Sequence, residues 1–104
     1  MKSISYKTTP LTADLNKKAR LLELAGDPTR IRILCFMFRY EKACVSDVAR
    51  SLKMTVASIS HHLQVMKDNE FFTTERIGNN ICYILNKNKF TSSLKEIICK
   101  VKLK

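Results

Sequence analysis

The sequence predicts a mainly α-helical fold that carries one small β-hairpin. Its 104 residues include only two glycines and two prolines, so few sharp breaks interrupt the helices. Apolar side chains recur at the helical spacing of about 3.6 residues along most of the chain. The spacing changes to two residues in Phe72–Arg76 and Ile81–Leu85, which flank a Gly78-Asn79 turn. Two such runs around a glycine-containing turn are typical of a β-hairpin.

Two helices are predicted to follow residues 1–10, which we interpret as a flexible basic arm. The first helix covers Leu11–Ala25 and ends at Gly26. Asp27-Pro28 then supplies an N-cap residue followed by proline at the first helical position, which is a strong start signal. The second helix, Thr29–Tyr40, is apolar on nearly every side, and we therefore expect it in the middle of the domain.

A short helix, a turn and a longer helix are predicted next. Ser46 caps the short helix, and Lys53-Met54 forms the turn. Thr55 caps the longer helix, which extends to about Asn69 and is followed by the hairpin and a last helix. This order of elements describes a winged helix–turn–helix, with residues 11–104 as a single domain.

Apolar stripes on the first and last helices predict a homodimer. On the first helix, Leu15, Ala19 and Leu22 lie on one side. A monomer would leave both stripes in water, so we expect the first and last helices to form the interface between two copies. The stripe of the last helix consists of Phe90, Leu94, Ile97, Ile98 and Val101.

The chain has a formal net charge of +10, from 19 Lys and Arg against 9 Asp and Glu. A domain this basic favours a polyanionic partner such as nucleic acid. It has neither an apolar stretch of membrane-spanning length nor the apolar block of a secretory signal. We therefore expect a cytoplasmic protein that does not associate with a membrane. It also lacks a nucleophile–base pair and a glycine-rich phosphate loop, and we expect neither an enzyme nor a cofactor. A basic module that binds a partner protein or an anionic membrane is the alternative.

Residues 54–67, MTVASISHHLQVMK, form the helix that we expect to meet DNA. Short side chains after Thr55 suit phosphate contact at a helix N-terminus, and His61 and Gln64 can reach base edges in a major groove. His61 and His62 diverge by roughly 100° around a helix, so they cannot hold one metal ion together. His62 lies nearer the buried side and is expected to be structural. The predicted buried side consists of Val56, Ile59, Leu63 and Met66.

The stretches AGDPTRIRIL (25–34) and CVSDVARSLKMTVASISHHLQVMKDNEFFTTERIGNNICYIL (44–85) carry the most specific motifs of the chain. They resemble the ArsR/SmtB family of bacterial winged-helix repressors. The resemblance implies a homodimer that binds a palindromic double-stranded DNA operator and is released by an inducer. Glu70 stands where relatives usually have glycine, so we expect Asn69 to adopt the left-handed turn there. The residues implied to face DNA are Thr55, Val56, Ser58, Ser60 and His61 on the recognition helix and Arg76, Asn79 and Asn80 on the wing.

The resemblance also bears on the four cysteines, which fall in no CxxC pair and are not expected to form a structural disulfide. Cys35 and Cys99 match, by element and local context, the cysteine pair of the family's sulfide- and oxidant-responsive branch. A bridge between those thiols loosens DNA binding there, which implies a reactive sulfur or oxidant species as inducer. Cys35 also shares a helix side with Ile31 and Phe38, so the alternative for it is a buried core thiol.

A metal-responsive repressor is the alternative for the inducer. The segment Cys44-Val45-Ser46-Asp47 keeps one of the two thiols of the CVCD motif in arsenic- and cadmium-type relatives. One thiolate is too few for a tight soft-metal site, so Cys44 is only a weak candidate that would need other donors. Cys82 alternates within its strand and is expected to pack in the core.

Overall fold

The structure, a computed structural model, describes residues 3–103. The helices in this range are α1 (Ala13–Ala25), α2 (Pro28–Tyr40), α3 (Val45–Leu52), α4 (Val56–Asp68) and α5 (Lys89–Lys95), and a π-helical segment, Glu96–Lys100, extends α5. The strands are β1 (Lys42–Cys44), β2 (Phe72–Ile77) and β3 (Asn80–Leu85), which form an antiparallel sheet in the order β1-β3-β2. This architecture confirms the predicted winged helix–turn–helix, in which β2 and β3 are the wing.

The chain before α1 forms no helix or strand from residue 3 to residue 12, and its side chains are exposed. Residues 1 and 2 of the predicted basic arm, and residue 104, lie outside the described residues. The first helix begins at Ala13 rather than at Leu11, because the Thr12 hydroxyl accepts a hydrogen bond from the Leu15 N–H at 3.1 Å and caps it. Each helix in the described range is too short or too polar to cross a lipid bilayer.

The start of α3 differs from the prediction, because Cys44 and not Ser46 is its N-cap residue. The Asp47 carboxylate accepts a hydrogen bond from the Cys44 N–H at 3.2 Å, which satisfies a backbone group at the helix start. The side of α3 that faces the core consists of Val48, Ala49 and Leu52, which are buried. Asp27 caps α2 as predicted, accepting from the Arg30 N–H at 3.1 Å.

Strand β1 and its pairing were not predicted. Cys44 in β1 lies directly opposite Cys82 in β3, with the two Cα atoms 4.0 Å apart, and a disulfide joins them. The expectation of no structural disulfide was therefore wrong, whereas the expected packing of Cys82 is confirmed, because its side chain is buried. A strand of three residues, Lys42–Cys44, is too short to show an alternating pattern, and its partner is 38 residues away in the sequence.

The core surrounds α2, as its nearly continuous apolar sequence predicted. Ile33, Leu34 and Met37 are completely buried, and the sheet contributes Phe72. Of the predicted buried side of α4, Ile59, Leu63 and Met66 are buried, whereas 54% of Val56 is exposed. Val56 is the first residue of α4, so its side chain lies at the end of the helix beyond this packing.

The turn between α4 and the wing places the left-handed residue one position later than predicted. Glu70 has φ +67°, whereas Asn69 has φ −107°. The Asn69 side chain instead donates a hydrogen bond to the Val65 carbonyl at 2.8 Å and caps the helix end. The Asn86 side chain donates to the Glu70 carbonyl at 2.9 Å, which holds the turn in place.

The last helix is not the single α-helix that the apolar stripe predicted. It changes to π-helical geometry at Glu96, and the Val101 N–H donates to the Glu96 carbonyl at 3.1 Å. Leu94 in α5 is buried, whereas 59% of Ile97 in the π-helical segment and 50% of Val101 after it are exposed.

The recognition helix α4 is tied to α2 through His62. The Arg30 Nε donates a hydrogen bond to His62 Nδ1 at 3.3 Å, and its Nη1 donates to the Leu24 carbonyl at 3.5 Å. Burial lowers the pKa of His62 below the usual 6.5, the Arg30 charge lowers it further, and Asp27 opposes this shift. The fold therefore holds the neutral ring, whose Nδ1 can accept the bond.

The Arg30–His62 contact predicts that stability falls on mild acidification. The folded pKa lies below the unfolded value near 6.5, so the unfolded chain binds the proton first and the contribution is lost as pH falls through 6.5. The urea midpoint of unfolding is expected to be lower at about pH 5.5 than at about pH 7.5. His62→Gln, which keeps a neutral acceptor for Arg30, is expected to reduce this difference.

His61→Gln is the matched control for that measurement. Among the described residues the His61 ring takes part in no hydrogen bond, so its replacement should keep the difference between the two midpoints. An equal pH dependence in the parent protein and in His62→Gln would show that the contact is not responsible.

Candidate nucleic-acid interface

The first turn of α4 presents unused hydrogen-bonding groups to solvent. The Thr55 hydroxyl oxygen accepts a bond from the Ser58 N–H at 3.1 Å, so its own hydrogen is still available to donate. The first bond to the Thr55 carbonyl comes from the Ile59 N–H at 3.1 Å. The N–H groups of Val56 and Ala57 precede this first bond, so they have no acceptor within the helix. Such groups, at the positive end of a helix dipole, attract anions.

The side chains of α4 predicted to face DNA differ in their exposure. The Gln64 amide group donates a hydrogen bond to the Asp68 carboxylate at 3.0 Å, which fixes the side chain and leaves its carbonyl oxygen free to accept. The rings of His61 and His62 diverge, with centroids 6.1 Å apart and planes inclined by 58°. Thr55, Val56, His61 and Gln64 are exposed, and Ser58 and Ser60 are half-buried.

The wing places its predicted contact residues at the exposed tip of the β2–β3 hairpin. Gly78 has φ +60°, and a Cβ atom added there would meet nothing within 4 Å, so the backbone conformation alone favours glycine. The Arg76 guanidinium Nε donates to the Gly78 carbonyl at 3.4 Å and so folds back over the turn. Asn79 and Asn80 are exposed beside it.

The charge of the wing is decided by Arg76. Glu75 is the single acidic residue of residues 72–85, and its carboxylate pairs with the Lys42 ammonium group at 2.7 Å. Because that pair is locally neutral, Arg76 gives the hairpin its net positive charge.

Two of the four cysteines are free and exposed, namely Cys35 on α2 and Cys99 on the π-helical segment. The alternative of Cys35 as a buried core thiol was wrong, because its side of α2 is only partly covered. Partial burial raises the pKa of Cys35, and the nearby charge of Cys99 raises it further. The π-helical segment that carries Cys99 packs against α2.

The weak metal candidate, Cys44, is not a free thiolate, because its sulfur is bonded to Cys82. In the range 3–103, no cluster of three or more His, Cys, Asp or Glu side chains is arranged to hold a metal ion.

Two arginines of α2 contact both helices of the helix–turn–helix, and this role was not predicted from the sequence. Arg30 contacts His62 on α4, and the Arg32 Nη2 donates a hydrogen bond to the Leu52 carbonyl at the end of α3 at 2.9 Å. The signal that could have found them is the TRIR stretch, where two long cations interrupt an otherwise apolar helix.

Comparison with known proteins places this geometry in a family. The profile described as "Bacterial regulatory protein, arsR family" matches residues 27–71. The chain is 28% identical over 79 residues to a "Transcriptional repressor SmtB homolog" of Synechocystis, covering 76% of this chain and 59% of that protein. It is 32% identical over 83 residues to the "Uncharacterized HTH-type transcriptional regulator MJ1325" of Methanocaldococcus jannaschii, covering 79% of this chain and 88% of that protein.

A solved structure with the same fold is HlyU from Vibrio cholerae, with a TM-score of 0.74 and 18% identity. The match covers 82% of this chain and 91% of that chain. The chain spans about three fifths of the length of the Synechocystis relative, whereas it matches most of the Methanocaldococcus one. The family's members and fold are those of DNA-binding regulators rather than enzymes. By its profile match and its identity to relatives of similar length, the chain belongs to the ArsR family of bacterial regulatory proteins.

Proposed function

We propose that this protein is a transcriptional repressor that binds operator DNA as a homodimer and is released by a thiol-reactive inducer. The observation that carries the DNA-binding part is the exposed first turn of α4, where the Thr55 hydroxyl and two backbone N–H groups are free to bind phosphate. His61 and Gln64 lie farther along the same side, at the height of base edges in a major groove.

The positive charge of the chain supports the same proposal. With a net charge of +10 per copy, two copies would meet the phosphate backbone with a large electrostatic attraction. Arg76, Asn79 and Asn80 at the wing would contact the backbone or the minor groove beside the site of α4.

Exposed apolar side chains at both ends of the chain support the homodimer. Leu15 and Leu22 on α1 are 42% and 54% exposed, and Ile97 and Val101 after α5 are 59% and 50% exposed. The radius of gyration is 17.4 Å, whereas a compact domain of this length has about 13 Å. Terminal segments that extend away from the core and expose apolar groups are stabilised by burial against a second copy.

The thiol pair Cys35 and Cys99 supports a reactive sulfur or oxidant species as inducer. A peroxide would oxidise Cys35 to a sulfenic acid and release water, and the Cys99 thiol would displace a second water to form a disulfide. The bond would join α2, which positions the helix–turn–helix, to the segment that follows α5. A shift of these elements would alter the spacing of the two α4 helices in the dimer and weaken operator binding.

Substitutions on α4 test the DNA-binding part. Ser58→Ala and His61→Ala are each expected to weaken binding to a fragment from the protein's own promoter by about 5- to 150-fold, because each removes a contact to DNA. Fluorescence anisotropy at several salt concentrations measures this, with Ser93→Ala on α5 as the matched control.

Binding of the parent protein should weaken steeply with salt and prefer the promoter over random duplex. Unchanged affinity in both α4 variants would contradict the placement of α4, and equal affinity for random duplex would favour a basic protein-interaction module.

Charged substitutions at the terminal helices test the homodimer. Sedimentation of the parent is expected to give twice the chain mass of 12.0 kDa. Leu22→Glu and Ile97→Glu are each expected to give monomers, because a buried unpaired carboxylate opposes association. Ile81→Glu on the wing is the control, since Ile81 is 53% exposed against 54% for Leu22. A dimer that survives both terminal substitutions would place the interface elsewhere.

The thiol switch is tested without the second cysteine pair, in a Cys44→Ser/Cys82→Ser background. Treatment with hydrogen peroxide or a tetrasulfide is expected to produce a Cys35–Cys99 bridge, detected by mass spectrometry of peptides, together with loss of promoter binding. Adding Cys35→Ser or Cys99→Ser should abolish the response. Normal release in both of those variants would assign the sensing to another site.

A further inference from the structure

A positively charged cavity opens beside the free thiol of Cys35. It lies between α2 and α3 and has a volume of about 330 Å³. Arg32, Cys35 and Arg39 line it from successive turns of α2, and Ser51 lines it from α3. The spacing places Cys35 between the two arginines on one side of the helix.

The two arginines of the cavity differ in how firmly they are held. The Arg32 Nη2 donates to the Leu52 carbonyl at 2.9 Å and the Nη1 donates weakly to the Met54 Sδ at 4.0 Å, which leaves the remaining N–H groups for a ligand. Arg39 is exposed, and no ion pair among the described residues involves it. No carboxylate belongs to the described lining of the cavity.

A second cavity continues the first along the same two helices. Its volume is about 390 Å³, and the two share Phe36, Tyr40 and Ser51. The added lining brings Lys42 and Arg50 with one carboxylate, Asp47, which lies 3.9 Å from Arg50. Lys42 is paired with Glu75 and Arg50 with Asp47, so the positive charge of the groove comes from Arg32 and Arg39, which lie beside the rings of Phe36 and Tyr40.

We propose that this groove binds a carboxylate-bearing low-molecular-weight disulfide or persulfide and presents its sulfur to Cys35. The proposal rests on the thiol switch described above and names the class of inducer that the site selects. Arg32 and Arg39 would pair with the carboxylates, since guanidinium groups suit carboxylate geometry. The space is far larger than a peroxide molecule requires and matches an organic reagent of peptide size.

Binding beside the thiol would compensate for an unfavourable property of Cys35. Partial burial and the charge of Cys99 raise the pKa of Cys35, so only a small fraction is the reactive thiolate near neutral pH. A bound reagent has a high effective concentration at the sulfur, which offsets the low thiolate fraction.

The reaction with a disulfide RSSR balances in two exchanges. The Cys35 thiolate attacks one sulfur, forms Cys35–S–SR and expels RS⁻, which takes up the proton that Cys35 lost. The Cys99 thiolate then attacks the Cys35 sulfur, forms the Cys35–Cys99 bond and expels the second RS⁻. The two cysteines are oxidised, and the reagent is reduced to two thiols. With a persulfide RSSH, the Cys35 thiolate attacks the outer sulfur and expels RS⁻, and the Cys99 thiolate then attacks the Cys35 sulfur and expels HS⁻, so the reagent is reduced to a thiol and hydrogen sulfide.

A pair of reagents of different charge tests the groove. The Cys44→Ser/Cys82→Ser protein serves as the parent and is mixed with anionic glutathione disulfide or with neutral 2-hydroxyethyl disulfide. Mass spectrometry measures the rate at which the Cys35–Cys99 bond forms. Arg39→Gln is expected to lower the ratio of the two rate constants, anionic over neutral, by about 2- to 5-fold. Salt should lower the same ratio in the parent protein.

Arg20→Gln on α1 is the matched control, because Arg20 is exposed and lies outside the groove. A ratio that Arg39→Gln and salt both leave unchanged would overturn the groove proposal while leaving the thiol switch intact. If hydrogen peroxide forms the Cys35–Cys99 bond but neither disulfide does, the groove proposal is overturned and the thiol switch stands; if none of the three reagents forms the bond, both fail.

Discussion

Two arginines near the start of α2 hold both helices of the helix–turn–helix against the core. Arg30 donates to His62 on α4, and Arg32 donates to the last carbonyl of α3, at Leu52. Apolar packing of α4 supplies most of the attraction but is not directional, so it tolerates small rotations of the helix. A hydrogen bond to one ring nitrogen is directional. The rotation of α4 about its own axis is therefore constrained by a residue on another helix.

The same helix carries the free thiol of Cys35, so on the proposed function a chemical signal at Cys35 would act on the element that holds α3 and α4. Cys35 lies less than one helical turn after Arg32, and Arg39 follows about one turn later. On the proposed function, a bond formed at Cys35 pulls on the segment of α2 that anchors α3 and α4. No separate relay is required, because sensing and positioning groups share one rigid element.

The helices could be predicted because local signals define them. Asp27 and Thr55 cap α2 and α4 as predicted. The helical spacing of apolar residues also predicted the buried side of α4 correctly, except at Val56. Contacts between distant residues could not be predicted in this way. The Cys44–Cys82 pair depends on a three-residue strand, and the exposure of Cys35 depends on what packs over α2. The nine residues proposed to face DNA came from family resemblance and helical geometry, and their role stays a prediction.

The two cysteine pairs differ in what oxidation can change. Cys44 and Cys82 face each other across β1 and β3, whose register already fixes their Cα atoms 4.0 Å apart. The sheet already holds these two residues opposite each other. A bond between them therefore strengthens the base of the wing without displacing β1 or β3 far. Cys35 and Cys99 lie on helical elements that no strand pairing joins. A bond between them constrains two elements that are otherwise held by side-chain packing, and such packing can yield to a new covalent link. That difference is the physical reason to assign the inducible response to Cys35 and Cys99.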